Sequence, residues 1–293
     1  MAGNELRVDI VREGDELSQY RKVAAAETGA RARRRKSRVP KRLLPSYWLP
    51  AVVGIGLLVL AWQLVAVHNP YIIPTVGSIA RELVTNRSFY LRNGLVTLQE
   101  TAVGIGCSSV VAVATAVLMV QFRVVERAVM PLVVIMHLTP LIAIAPGLVI
   151  AFGFGMTPKY IVTGLIVFFP VVINALIGLR SVDPQALDLL QTLRASRLEV
   201  LFRVRLPSSL PYLCAAARIA FPVGLIGAIV AEFTASGDAR GLGSVIEVAA
   251  SNADLKEIYA ATVCLTAMGL VLTFIVVTLE ARLLRWYSGT DRS

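Results

Sequence analysis

Four ionisable side chains lie within long apolar stretches of the sequence and are its first candidates for chemistry. They are Glu100, His137, Arg218 and Glu232. A charged group in an apolar helix is costly without a partner, so such residues are candidates for solute contact, proton transfer or ion pairing. We expect Glu100, Arg218 and Glu232 near the ends of their helices, and His137 in the middle of its apolar run.

Residue patterns typical of enzymes are missing from the sequence. It holds no G-x-x-x-x-G-K-[ST] loop for ATP phosphates and no H-E-x-x-H or G-x-S-x-G pattern. Its histidines, His68 and His137, are too few for a typical catalytic metal site, and its three cysteines lack C-x-x-C spacing. We therefore expect a protein that is not an enzyme and that uses neither a metal nor a cofactor.

Long uncharged runs determine the predicted fold class. The chain is 56% hydrophobic and 16% charged, whereas soluble domains contain about 25% charged residues. A helix that crosses a bilayer needs about 20 mostly apolar residues. The runs lack polar faces at helical spacing, which a soluble helical protein would need. The sequence therefore predicts an all-α integral membrane protein with six transmembrane helices, near 47–67, 98–120, 128–157, 160–179, 213–233 and 258–279.

The distribution of basic residues predicts the orientation in the membrane. If the chain starts in the cytoplasm, most of its 29 Lys and Arg residues lie inside, and the exceptions are Arg81, Arg87, Arg92, Lys159, Arg240 and Lys256. This bias follows the positive-inside rule and places both termini in the cytoplasm. The net charge of +10 therefore reflects topology rather than a nucleic-acid partner.

The same pattern divides the chain into three parts. Residues 1–45 form a basic tail, 46–288 a transmembrane domain and 289–293 a short C-terminal tail. We expect the basic tail to be flexible. It serves either to contact anionic membrane lipid or only as a topology signal.

A proline-rich stretch in the third predicted span is a candidate lining of a pathway. Proline interrupts helical hydrogen bonding, so we expect a break or bend within 139–146. Irregular backbone at membrane depth survives where protein or a water-filled cavity surrounds it. The alternative is a proline kink packed inside the bundle, with a hydrogen-bonded His137. The pathway candidates are His137, Thr139, Pro140, Asn174 and Glu232, and Lys159 and Arg240 are expected to flank the outer mouth.

Residues 180–212, here called the elbow, connect the fourth and fifth predicted spans on the cytoplasmic side. Asp183-Pro184 predicts one helix start, and the capping-box pattern Ser196-x-x-Glu199 predicts a second. The elbow should therefore hold two short amphipathic helices that meet at a corner near 194–195.

The second of these helices is expected to end at Pro207 and Pro211. Leu198, Leu201 and Phe202 share one of its faces. This face packs either against a partner protein or against the cytoplasmic ends of the neighbouring spans.

The elbow also carries a recognisable spacing. Asp188-Leu189-Leu190, Arg194 and Val204-x-Leu206-Pro207 stand at the positions of E-A-A-x3-G-x9-I-x-L-P. This spacing resembles the cytoplasmic loop of permease subunits of bacterial ABC importers. Over roughly 70–286, the chain looks like the branch that handles sulfonates, taurine, nitrate and pyrimidine precursors; the similar segments are PLIAIAPGLVIAFGFGMTPKYIV, FFPVVINALIGLRSVDP, LPSSLPYL, AEFTASGDARGLG and EARLLRW.

The resemblance implies a transmembrane permease in the bacterial inner (cell) membrane, with ATP hydrolysis on a separate subunit. In such importers the loop forms a coupling helix that docks on a cytoplasmic ATP-binding subunit, two permease subunits form the pathway, and an extracytoplasmic binding protein delivers the solute. The implied anchors for docking are Leu201 and Phe202. The full set of implied coupling residues is Asp188, Leu189, Leu190, Arg194, Arg197, Leu198, Leu201, Phe202, Val204, Leu206 and Pro207.

Two alternatives remain open at the level of sequence. Arg194 replaces the family's glycine, which favours an unequal pair of permeases but also fits drift in a homodimer. An ion-coupled secondary transporter acting without an ATPase would use Glu100, His137 or Glu232 as protonatable groups. That alternative leaves the capped, arginine-flanked elbow unexplained.

Overall fold

The computed structural model describes residues 45–69, 71–234 and 240–284. The chain divides into two compact units, 1–65 and 66–293. Helix α1, Pro45–His68, begins in the first unit and ends in the second. Apart from Pro45, the predicted basic tail lies outside the described residues, as does the C-terminal tail 289–293.

The second unit is helical, with no β-strand in its described ranges. Its helices are α2 (Val76–Thr85), α3 (Arg87–Gln121), α4 (Arg123–Leu138), α5 (Leu141–Phe152), α6 (Met156–Arg180), α7 (Pro184–Thr192), α8 (Arg197–Val200), α9 (Leu206–Thr234), α10 (Leu242–Ser251) and α11 (Leu255–Leu283). A π-helical turn, Leu201–Arg205, joins α8 to α9. The predicted all-α class is confirmed for these residues.

Four helices in the described ranges are long and apolar enough to cross a membrane. They are α3, α6, α11 and a continuous helix, Arg197–Thr234, made of α8, the π-helical turn and α9. The pair α4 and α5 gives a fifth span if it counts as one. The apolar part of α1, Val52–His68, and α10 are shorter than the usual span of about 20 residues. Within the described ranges, four or five spans are thus of full length, and the predicted number of six is not confirmed.

The predicted break in the third apolar run is confirmed. The axes of α4 and α5 differ by 99°, and the break lies at Thr139 and Pro140. The Thr139 hydroxyl donates to the Ile135 carbonyl at 2.8 Å, so this side chain satisfies a carbonyl at the end of α4. Pro140 has no N–H to donate, which favours the end of one helix and the start of another at this point.

Helix α6 packs against both α3 and α9 and forms the centre of the second unit. Its core is made of small and β-branched side chains such as Ala116, Val171 and Ala220. Small residues allow helix backbones to pack closely in a membrane, where the hydrophobic effect does not drive helices together. At Gly104 of α3, a β-carbon would lie 2.6 Å from the side chain of Thr163 in α6. Glycine is therefore required at this crossing.

The predicted helix end at Pro207 and Pro211 is wrong. The helix continues through both residues to Thr234. In the π-helical turn, the Leu206 N–H bonds to the carbonyl of Leu201, five residues earlier. This wider turn shifts the hydrogen-bond register just before Pro207, so the missing proline N–H does not stop the helix.

Candidate functional site

The elbow folds as its capping signals predict. Asp183 accepts a hydrogen bond of 2.9 Å from the Gln185 N–H at the start of α7, and Ser196 and Glu199 form a complete capping box at α8. Arg194 at the corner has a φ of +55°. This left-handed conformation suits glycine and costs another residue about 1 kcal/mol. The corner geometry therefore persists although arginine stands at the glycine position.

The apolar face of the elbow is divided between the protein core and the surface. Leu201 is 5% exposed and belongs to the core of α3, α6 and α9. Phe202 and Leu198 are both 63% exposed. The expectation that Leu201 anchors a partner must therefore be corrected, because this side chain already fills a place in its own core.

The other predicted coupling residues vary in exposure. Leu190, Val204 and Leu206 are half-buried, whereas the exposed ones are Asp188, Leu189, Arg194, Arg197 and Pro207.

Two ion pairs lie near the elbow end of the spans. Arg180, where the elbow begins, pairs with Glu126 of α4 at 2.5 Å. Arg218 of α9 pairs with Glu280 of α11. The first pair links the elbow directly to the bent span α4–α5.

A buried ion pair connects α3 to α6. The Lys159 ammonium lies 3.0 Å from a Glu100 carboxylate oxygen, and both side chains have zero exposure. Lys159 also donates to the Arg240 carbonyl at 3.0 Å. The sequence had predicted Lys159 at an outer mouth and Glu100 near the end of its helix. Both side chains are instead buried, and Glu100 lies well inside α3. The attraction between the two charges offsets part of the cost of removing them from water.

Glu232 holds the start of α10. Its carboxylate accepts from the Thr97 hydroxyl at 2.7 Å and from the Gly243 N–H. The Leu242 N–H donates to the same Thr97 oxygen at 2.9 Å. The first N–H groups of a helix lack partners within it and attract negative charge. Glu232 thus ties α3, α9 and α10 together.

The fit around Glu232 gives a testable stability effect. A β-carbon at Gly243 would lie 2.5 Å from the Glu232 carboxylate. Overpacking of this kind costs about 1–3 kcal/mol, so Gly243→Ala should lower the midpoint of unfolding in detergent. Gly106→Ala is the matched control, because a β-carbon at Gly106 meets nothing within 4 Å. Equal midpoints for the two variants would contradict the tight fit.

Of the predicted pathway residues, His137 lines a cavity. Asn174 donates to the carbonyl of Pro170 in its own helix at 2.7 Å, and Thr139 bonds within α4. The His137 ring stacks on Phe169 of α6, with centroids 3.9 Å apart and planes 12° from parallel. The two rings border a cavity of about 330 Å³.

Residues 104–288 match the family described as binding-protein-dependent transport system inner membrane component. The chain belongs to this family. The matched range contains the elbow, the bent span and the buried ion pair except for Glu100. The resemblance noted in the sequence is thereby confirmed.

The permease is also similar to several named transport proteins. A probable ABC transporter permease protein of Haemophilus influenzae is 33% identical, over 77% of the permease and 93% of the relative. A formylaminopyrimidine transport permease protein of Halalkalibacterium halodurans is 31% identical, over 78% and 92%. A taurine transport system permease protein of Escherichia coli is 32% identical, over 54% and 56%.

Among solved structures, the permease is similar to a chain of the MetNI methionine ABC transporter in an inward-facing conformation. The TM-score is 0.55 with 16% identity, and the match covers 67% of the permease and 94% of that chain. At this level of identity the likeness shows the fold alone.

Sequence reasoning missed two features of the permease. The partnership of Lys159 with Glu100 was not predicted, although a positive and a negative residue in neighbouring apolar runs is a usable signal for an ion pair. Phe169 was not singled out because aromatic residues are common in apolar helices.

Proposed function

We propose that a separate ATP-binding subunit drives this permease through the elbow. The observation that carries the proposal is the exposure of Leu198 and Phe202, each 63% exposed, at the predicted cytoplasmic end of the membrane domain. Exposed apolar side chains flanked by arginines are typical of a surface that meets a partner. A groove on the ATP-binding subunit takes these two side chains.

The continuity of the helix explains how movement at the elbow reaches the membrane. Arg197–Thr234 is one helix of 38 residues, which corresponds to roughly 57 Å at 1.5 Å per residue. A displacement of Phe202 therefore moves the whole span. The Arg180–Glu126 pair passes the same displacement to α4 and to the break at Thr139 and Pro140.

The proposal includes the complete topology and the partners. Six spans cross the bacterial inner membrane, with both termini in the cytoplasm, and α1 and the α4–α5 pair each count as one span. The pathway forms with a second permease subunit, either another copy or a different chain. An extracytoplasmic binding protein delivers the solute. Relatives named for transport of formylaminopyrimidine, aliphatic sulfonates, taurine and nitrate support a small solute of these kinds.

Reconstitution into liposomes tests the proposal. Uptake of a labelled aminopyrimidine, taurine or nitrate should require the permease, its ATP-binding subunit, the binding protein and ATP together. A proton or sodium gradient should not replace ATP. Uptake by the permease alone under such a gradient would overturn the proposal and favour the ion-coupled secondary transporter.

A further inference from the structure

The cavity beside His137 lies where one membrane span is broken and two others contain a proline. His137 lies in the last turn of α4 just before the break, and the cavity is also lined by Leu141 of α5, Leu165 and Phe169 of α6, and Ile219 and Val223 of α9. Pro170 lies within α6 at this level, and Pro222 of α9 adjoins Val223. Small displacements of these helices therefore change the shape of the cavity.

We propose that this cavity binds the transported solute and that the solute is an uncharged planar heterocycle. The inference rests on the proposed function, since it assumes that a solute passes through the membrane domain. It adds that the permease itself, through this cavity, selects one class among the small solutes considered above.

The charge of the lining argues against a small anion. Among the described residues that line the cavity there is no Lys, Arg, Asp or Glu. Nitrate or a sulfonate bound there would gain no permanently charged partner to compensate for any hydration that it lost, which is unfavourable. Lys159, the buried cation of α6, already binds Glu100 and the Arg240 carbonyl.

The rings argue for a flat ligand with a polar edge. His137 and Phe169 stack on each other with centroids 3.9 Å apart, so a ligand meets only their edges and outer faces. Apolar side chains form the rest of the wall, so the site presents planar and apolar surface. An imidazole supplies one donor and one acceptor when neutral, which matches the edge of a nitrogen heterocycle. A volume of about 330 Å³ lies at the lower end of small-molecule pockets, about 300–1,000 Å³. One or two fused rings fit this space.

Equilibrium dialysis on the permease pair assembled with its ATP-binding subunits in lipid nanodiscs, without the extracytoplasmic binding protein, tests the inference. The probes are 4-aminopyrimidine and the two-ring 4-aminoquinazoline as neutral heterocycles, and nitrate and ethanesulfonate as anions. The heterocycles should bind and the anions should neither bind nor compete. His137→Leu and Phe169→Leu should each weaken heterocycle binding about tenfold, since an aromatic stack contributes about 0.5–1.5 kcal/mol.

Two further variants make the result specific. His137→Gln should bind better than His137→Leu, because glutamine keeps a donor and an acceptor. Phe154→Leu is the matched control, since Phe154 is exposed in the loop between α5 and α6 and should bind as the unchanged protein does. Two results would overturn the inference. One is heterocycle binding that His137→Leu leaves unchanged, and the other is anion binding to the unchanged permease that His137→Leu abolishes.

The same samples separate this inference from the proposed function. Retention of the ATP-binding subunit is measured before dialysis, and neither His137→Leu nor Phe169→Leu should alter it. If that subunit fails to associate with the unchanged permease, the proposed drive through the elbow fails. If it associates but no heterocycle binds, the solute site alone fails.

Discussion

Replacing Phe202 with Asp should abolish association with the ATP-binding subunit while the permease still inserts and folds. Phe202 is 63% exposed, so the change leaves the core intact. In the docked state, however, the new carboxylate would be buried in an apolar groove without a partner. Buried aromatic anchors contribute about 2 kcal/mol or more to an interface, which corresponds to a loss of at least roughly thirtyfold in affinity. Copurification and a binding titration measure the effect.

Two other variants control this experiment. Phe122 precedes α4, is 52% exposed and lies outside the elbow, so Phe122→Asp should keep the association. Leu201→Asp should instead reduce the yield of folded permease, because Leu201 is a core residue at 5% exposure. If Phe202→Asp associates with the ATP-binding subunit as the unchanged permease does, the elbow does not take part in coupling as proposed.

Replacing Lys159 with Met should destabilise the permease more than the overpacking variant Gly243→Ala does. Glu100 has zero exposure and would be left as a buried charge without its cation. Breaking a buried pair in this way typically costs about 3–5 kcal/mol. Unfolding by denaturant in micelles, followed by circular dichroism, should show the loss as a lower midpoint.

The double variant Glu100→Leu with Lys159→Met tests the cause. Replacement of a buried ion pair by apolar residues of similar size is often nearly neutral, so the double variant should recover most of the lost stability. If the double variant is no more stable than Lys159→Met, the lost stability does not come from an unpaired Glu100. The bond from Lys159 to the Arg240 carbonyl would then be the main contribution.

Local signals in the sequence determined much of the helical framework. The long apolar runs, the break near Pro140 and both helix starts in the elbow follow from residues within a few positions of each other. Capping hydrogen bonds, such as those between Ser196 and Glu199, span three residues. Their geometry is set by the backbone of a single turn. These features could therefore be predicted before any packing was known.

Packing overrode one local signal. Proline normally ends a helix, yet the turn at Leu201–Arg205 adopts π geometry and the helix passes Pro207. This arrangement also buries Leu201 and leaves Phe202 exposed. Sequence spacing put both residues on one apolar face, and only the neighbouring helices decided which of them enters the core.

The sequence by itself determined that this is a helical membrane protein with a capped elbow and a bent apolar run. Tertiary structure alone decided which side chains meet. Glu100 contacts Lys159, 59 residues away, Thr97 contacts Glu232, 135 residues away, and the ring of His137 stacks on that of Phe169. Such partners depend on how each helix is rotated about its axis. In a chain whose spans are apolar on every side, no hydrophobic stripe in the sequence specifies that rotation.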